Sequence, residues 1–331
     1  METKGIIATT HVDGHGERIG KEALETFVKA INAEENAIGV SVEHDSLAMP
    51  IGKVIKANLV QLSNGDFAVS AVQEIFDVHS IKSQNSDETY YVAGSEHDHR
   101  PFADSKIEQS DRLTVSFDPH NFAQKHFTEI KDFLSDENIE IKLEVRKSLI
   151  PDPEIIFNLI AGTFIYLTGK KVLENLTSEM SADISNGYKV IKNIIIKFAC
   201  YSIPENRPKT YRFREQGEYM KELVVRTSDP NVVLEAFQPD KLEKIEILIK
   251  ESLQHFKVSP AKVQLLYDVD DKEWKLNYLL TTSGQAIGTE KCYKRTRDLF
   301  NNLVQEDGSA NVSIAGLNSV DLNAIDVEDR N

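Results

Sequence analysis

Residues 42–72 read VEHDSLAMPIGKVIKANLVQLSNGDFAVSAV, and this stretch decides how the N-terminal part folds. GKVIKANLVQL and FAVSAVQEIF are rich in apolar and β-branched residues, and the Ser63-Asn64-Gly65-Asp66 segment between them carries an Asn-Gly step. Asn-Gly readily takes the positive φ that tight hairpin turns need, so the two runs read as antiparallel strands. IGVSVEH, just upstream, reads as another strand. At its end His44-Asp45 precedes the Pro50-Ile51-Gly52 turn. That placement leaves His44 two readings, a proton acceptor at a strand end or a polar residue of the turn.

Working outward, residues 5–10 form a short β-branched strand and HVDGHGERIG supplies turn residues. Ala23, Leu24, Phe27, Val28 and Ile31 then recur at helical spacing, which predicts an amphipathic helix over about residues 21–35. Residues 77–112 read as a long polar loop holding one strand at 89–93. RLTVSFDP and IEIKLEVRKS read as strands on either side of the helix NFAQKHFTEIKDFLSD. Pro151 and Pro153 mark a boundary. The apolar run IIFNLIAGTFIYLTG, residues 155–169, predicts a buried or partner-facing helix, because a membrane-spanning helix needs about 20 apolar residues. Further on, KNIIIKFACYSI and KELVVRTS read as strands. Two helices broken before Pro239 follow, then a hairpin turning at Asp270-Asp271. Residues 305–331 are small, polar and acidic, with no sustained period, and read as disordered.

The chain has 331 residues and a formal charge of −15, from 53 acidic against 38 basic side chains. Such a surface repels phosphate backbones and anionic lipid, which argues against nucleic-acid binding. Cys200 and Cys292 stand far apart, giving neither a disulfide framework nor zinc-ligand spacing. With an N-terminus that lacks the pattern of a secretion signal, this points to the cytoplasm.

Three segments, TTHVDGHGERIGKEALETFVKAIN, VEHDSLAMPIGKV and GDFAVSAVQEIF, in this order, resemble the start of the prohead maturation proteases of tailed bacteriophages and their bacterial relatives. The resemblance covers roughly residues 5–77, with weaker continuity to about 148. It implies a serine protease of the herpesvirus-protease type, a small β-barrel with flanking helices that cleaves a protein substrate. His44 matches the family histidine. Ser116 is the best positional candidate for the nucleophile, although Phe117-Asp118 follow it where the family has a glycine-containing strand. Asp118, two residues along and so on the same strand face, and His99 are the two candidates for orienting the histidine.

The predicted fold class is therefore α+β. A small β-barrel-like domain with flanking helices occupies residues 1–150, a helical connector 151–192, an α+β domain 193–304, and an acidic tail 305–331. Two clusters carry metal-ligand residue types. HVDGHGER offers His11, Asp13, His15 and Glu17, and EHDHR offers His97 and His99 with His44 or Asp104 as completing ligands. Neither has a further ligand motif, so a polar turn and a solvated loop are the preferred readings. TTSGQAIGTEK lacks the features of a phosphate or dinucleotide loop. No metal or cofactor is expected. The competing functional reading is a catalytically inactive binding or assembly protein of the same fold, possible as a homo-oligomer or docking at a membrane through residues 155–169.

Overall fold

The computed structural model describes residues 2–12, 18–33, 35–41, 45–82, 88–107, 112–137, 139–143, 153–168, 178–203 and 207–303. Contacts divide it into two compact units that interleave along the chain: one holds the residues up to 104 and again from 280, the other those between. The expected boundary near residue 150 and the expected tail at 305–331 lie outside the described residues.

The first unit opens with β1 (Glu2–Thr9), α1 (Lys21–Ile31), β2 (Ile38–Val40), β3 (Gly52–Gln61) and β4 (Phe67–Ile75). The strands form an antiparallel sheet in the order β1-β4-β3-β2. The hairpin is the one predicted: Gly65 takes φ +87°, and the Asn64 carboxamide accepts from the Asp66 amide at 3.0 Å. The stripe of α1 lands on this sheet, where Leu24 and Ile31 bury against Val54, Ala57, Val69 and Ala71. Asn32, just past the helix, donates to the Ala57 carbonyl at 2.8 Å and accepts from the Ala57 amide at 2.9 Å, fixing the helix to β3. The expected barrel is not formed among the described residues. β1 and β2 do not pair with each other, so the sheet stays open with those strands at its edges.

Pro50-Ile51-Gly52 has a structural reason of its own. Ile51 donates to Val40 at 2.9 Å and accepts from Phe76 at 2.8 Å, stitching the start of β3 to both neighbours. A Cβ on Gly52 would lie 2.2 Å from the Glu74 carbonyl oxygen, so only glycine permits that approach. Beyond β4, the region expected as a loop with one strand contains two, β5 (Val78–Lys82) and β6 (Thr89–Gly94), paired antiparallel.

The second unit comprises β7 (Thr114–Phe117), α2 (Gln124–Asp136), β8 (Glu140–Leu143), β9 (Glu154–Leu159), α3 (Thr163–Leu167), α4 (Ser178–Tyr201), β10 (Lys209–Gln216), β11 (Met220–Thr227), α5 (Pro230–Ala236), α6 (Pro239–Phe256), β12 (Pro260–Asp268) and β13 (Glu273–Thr281). Its strands lie in the order β13-β12-β11-β10-β9-β7-β8. Two readings are corrected here. Residues 154–159, expected in the helical connector, are strand β9, parallel to β10 and antiparallel to β7. A continuous apolar run suits a strand buried on both faces as well as it suits a helix, and Ile155, Ile156, Phe157 and Leu159 are all buried. Of the run 155–169, expected as one apolar helix, residues 155–159 lie in β9 and 163–167 form the short helix α3. Conversely, the run expected as strand at 192–203 belongs mostly to α4: Val190, Ile194 and Phe198 bury at four-residue spacing while Ile196 faces out.

The chain then completes the first unit with β14 (Gln285–Thr289), paired antiparallel to β6, and α7 (Glu290–Leu303). Tyr293 of α7 stacks on Tyr91 of β6 with ring centroids 4.0 Å apart. The described residues thus make a mixed α+β fold. None of their helices is long and apolar enough to cross a membrane.

Candidate functional site

His44 lies outside the described residues. Its neighbour Asp45 is anchored: one carboxylate oxygen accepts from the Leu47 amide at 2.9 Å, and the other meets Arg295 of α7 at 2.5 Å. Two further bonds hold the same segment to α7, from the Met49 amide to Thr296 Oγ1 at 3.2 Å and from Cys292 Sγ to the Leu47 carbonyl at 3.4 Å. Asp45 is thus the first link of a staple between the segment that follows His44 and the last helix of the same unit.

Ser116 sits on β7 in the second unit, flanked by Ile156 of β9 and Lys142 of β8. It is 1% exposed, and among the described residues its Oγ has no hydrogen-bond partner. Asp118 accepts from both the amide and the ring Nδ1 of His120, each at 2.9 Å, and so caps a short helical turn. The structure therefore brings Asp118 together with His120, a residue the sequence did not single out for chemistry. His99 is exposed on the loop of the first unit. Of the metal-ligand clusters, Asp13, His15 and Glu17 lie outside the described residues, and His11 stands 3.6 Å from Asp66. Among the described residues no three His, Cys, Asp or Glu side chains group as metal ligands.

Sequence reasoning missed two buried polar sites. In the second unit, Glu222 of β11 is fully buried and meets Arg212 at 2.5 Å, Arg214 at 2.8 Å, Lys262 at 2.9 Å and the Gln264 amide at 2.7 Å. Arg212 also reaches Glu154 of β9 at 3.3 Å, and Asn277 of β13 donates to Gln264 at 2.5 Å. Burial alone would raise the Glu222 carboxyl, but Arg212, Lys262 and Arg214, with the Gln264 hydrogen bond, hold it well below the usual carboxylate range. The only trace in the sequence is alternation: Arg212 with Arg214, and Lys262 with Gln264, each share a strand face. That pattern ordinarily marks a solvent face.

In the first unit, Lys53 of β3 is fully buried. Its Nζ donates to the carbonyls of Asp98 at 2.7 Å and Arg100 at 2.6 Å and lies 3.8 Å from the Asp98 carboxylate. Burial drives its pKa down to about 8, against the pull of Asp98. The second unit also holds a cavity of about 600 Å³ lined by Leu167, Lys192, Asn231, Leu234, Glu235, Phe237, Gln238 and Pro239, within the size range of small-ligand pockets.

No family model matches the chain, and no curated protein or solved structure matches it either.

Proposed function

We propose that this chain acts in the cytoplasm as a binding or assembly protein and does not hydrolyse peptide bonds. The reading is carried by one observation: Ser116, the candidate nucleophile, is 1% exposed within the sheet, and among the described residues its hydroxyl has no hydrogen-bond partner. A serine becomes nucleophilic when a positioned base takes its proton, and an acyl donor must reach it. The carboxylate of Asp118, which would orient such a base, is bonded to His120. Binding asks for less than catalysis does, namely exposed contact surface. Ile196 and Ile203 supply some, at 46% and 51% exposure on and just beyond α4. The formal charge of −15 argues against nucleic acid as that partner.

The test is a fluorophosphonate probe on the intact chain, run beside light scattering and paired with Ile196→Asp. The expected result is no labelled serine, together with a particle mass that exceeds one chain and falls in the variant. Covalent labelling of Ser116 would overturn this reading in favour of a serine peptidase with His44 as its base.

A further inference from the structure

The loop of residues 95–102 in the first unit carries Glu96, His97 and His99 to the surface while its backbone closes over a buried amine. Ser95 starts the loop, accepting from the amides of His97 at 3.0 Å and Asp98 at 2.7 Å. Arg100 clasps the Asp98 carboxylate at 2.6 Å and donates to the Ala33 carbonyl beyond α1 at 2.9 Å. On the other side stands Gly284, at φ +73°, in the turn before β14. A Cβ there would lie 2.2 Å from Lys53 Nζ and 2.3 Å from the Arg100 carbonyl oxygen. The amine is thus enclosed by β3, the loop and a glycine that leaves just enough room for it.

We propose that Lys53 is a proton-linked latch for this loop: the loop closes on the amine and opens with uptake of a proton. The charged groups facing Lys53 are Asp98 and Arg100 from the loop and Glu74 from β4. Asp98 and Glu74 favour the ammonium and Arg100 opposes it, but loss of water outweighs all three and brings the pKa from 10.5 to about 8. An opened loop would wet the amine and restore its ordinary value. Between pH 8 and 10.5 the open form therefore binds more protons than the closed form. Raising pH through that window suppresses opening by about tenfold per pH unit, and below pH 8 opening settles at its most favourable level. At neutral pH the device rests at its loosest, with the histidine-bearing loop at its most openable.

Millisecond-pulse hydrogen exchange on the full chain, read by mass spectrometry between pH 7 and 9.5 and corrected for intrinsic rates, tests this. The amides of Asp98, Arg100 and Ala103 are bonded and report on closure. In the wild type their protection should be flat up to pH 8 and then climb about tenfold per pH unit. Lys53→Met, which has nothing to titrate, and Lys53→Arg, which stays charged throughout, should both be flat. A flat wild-type profile overturns the latch, as does the wild-type slope persisting in Lys53→Arg, a variant that decides the matter even where Lys53→Met fails to fold.

Discussion

Lys53 and Lys262 are both fully buried on central strands, and their surroundings could hardly differ more. Lys262 faces a carboxylate at 2.9 Å inside a lattice that also holds two arginines, a second glutamate and two carboxamides. Lys53 faces two backbone carbonyls, and its carboxylate stands off at 3.8 Å. Charge answered by charge resists titration, whereas charge answered mainly by dipoles gives up its proton more easily. The first site locks a sheet together. The second makes a loop responsive to pH above about 8.

The sharpest way to break this contrast is Glu222→Gln. It keeps the shape but removes the negative charge that Arg212, Arg214 and Lys262 share, and removal of one partner from a buried ionic cluster costs about 3–5 kcal/mol. Urea denaturation should show that loss, and a cost below that of Lys53→Met would reverse the assignment of lock and latch. The pH profile separates the sites as well. Glu222, with its pKa depressed, contributes stability that is complete above the ordinary carboxylate value of 4.5 and drains away as the solution becomes acid. Lys53, also depressed but cationic, works in the opposite sense. Its burial penalty is complete below pH 8 and is relieved as pH rises toward 10.5.

Gly284→Ala should come next, at about 2–4 kcal/mol, because it combines a side chain at positive φ with intrusion on Lys53 Nζ and a backbone carbonyl that cannot retreat. Thermal unfolding would register it. If the same variant also moved the amine's titration, followed by ¹⁵N NMR of Lys53, the enclosure described for the latch would be confirmed. A fall in melting temperature with an unmoved titration would leave only backbone strain as the role of Gly284. Lys53→Met should be milder, a net loss of about 1–2 kcal/mol, since unmet carbonyls are partly offset by removal of a buried charge.

These sites also mark how far the sequence could be read. The β3–β4 hairpin was legible because its instruction is local: Asn64 and Gly65 are sufficient to turn the chain. The α1 stripe was legible because five apolar residues keep one period. Residues 154–159 and 192–203 were not, since short apolar runs fit strand and helix alike. Only the neighbours settled them, β7 and β10 for one and the burial of Val190, Ile194 and Phe198 for the other. The buried ions were least legible of all. Lys53 meets groups 45 and 47 positions away, and Glu222 meets Gln264 42 positions away, so their burial is a property of the assembled sheets and not of any segment. The candidate serine suffered from the same blindness. Strand alternation located Ser116 on β7 but could not tell a solvated face from a covered one.

Ser116→Ala is the smallest effect and the most informative about function. A buried hydroxyl with no partner among the described residues has already lost its hydrogen bonds to water, so its removal gives back a desolvation cost and leaves little void. Stability should be unchanged or higher by up to about 1 kcal/mol. A serine working as nucleophile would behave differently in assay: its loss would abolish any turnover of a peptide substrate and any probe adduct while leaving the fold intact. Measuring both on one variant therefore divides the two readings. A neutral or stabilised Ser116→Ala that retains partner binding fits the assembly role, whereas a stable variant that loses a hydrolytic activity seen in the wild type would mean that the covered face of β7 opens to substrate.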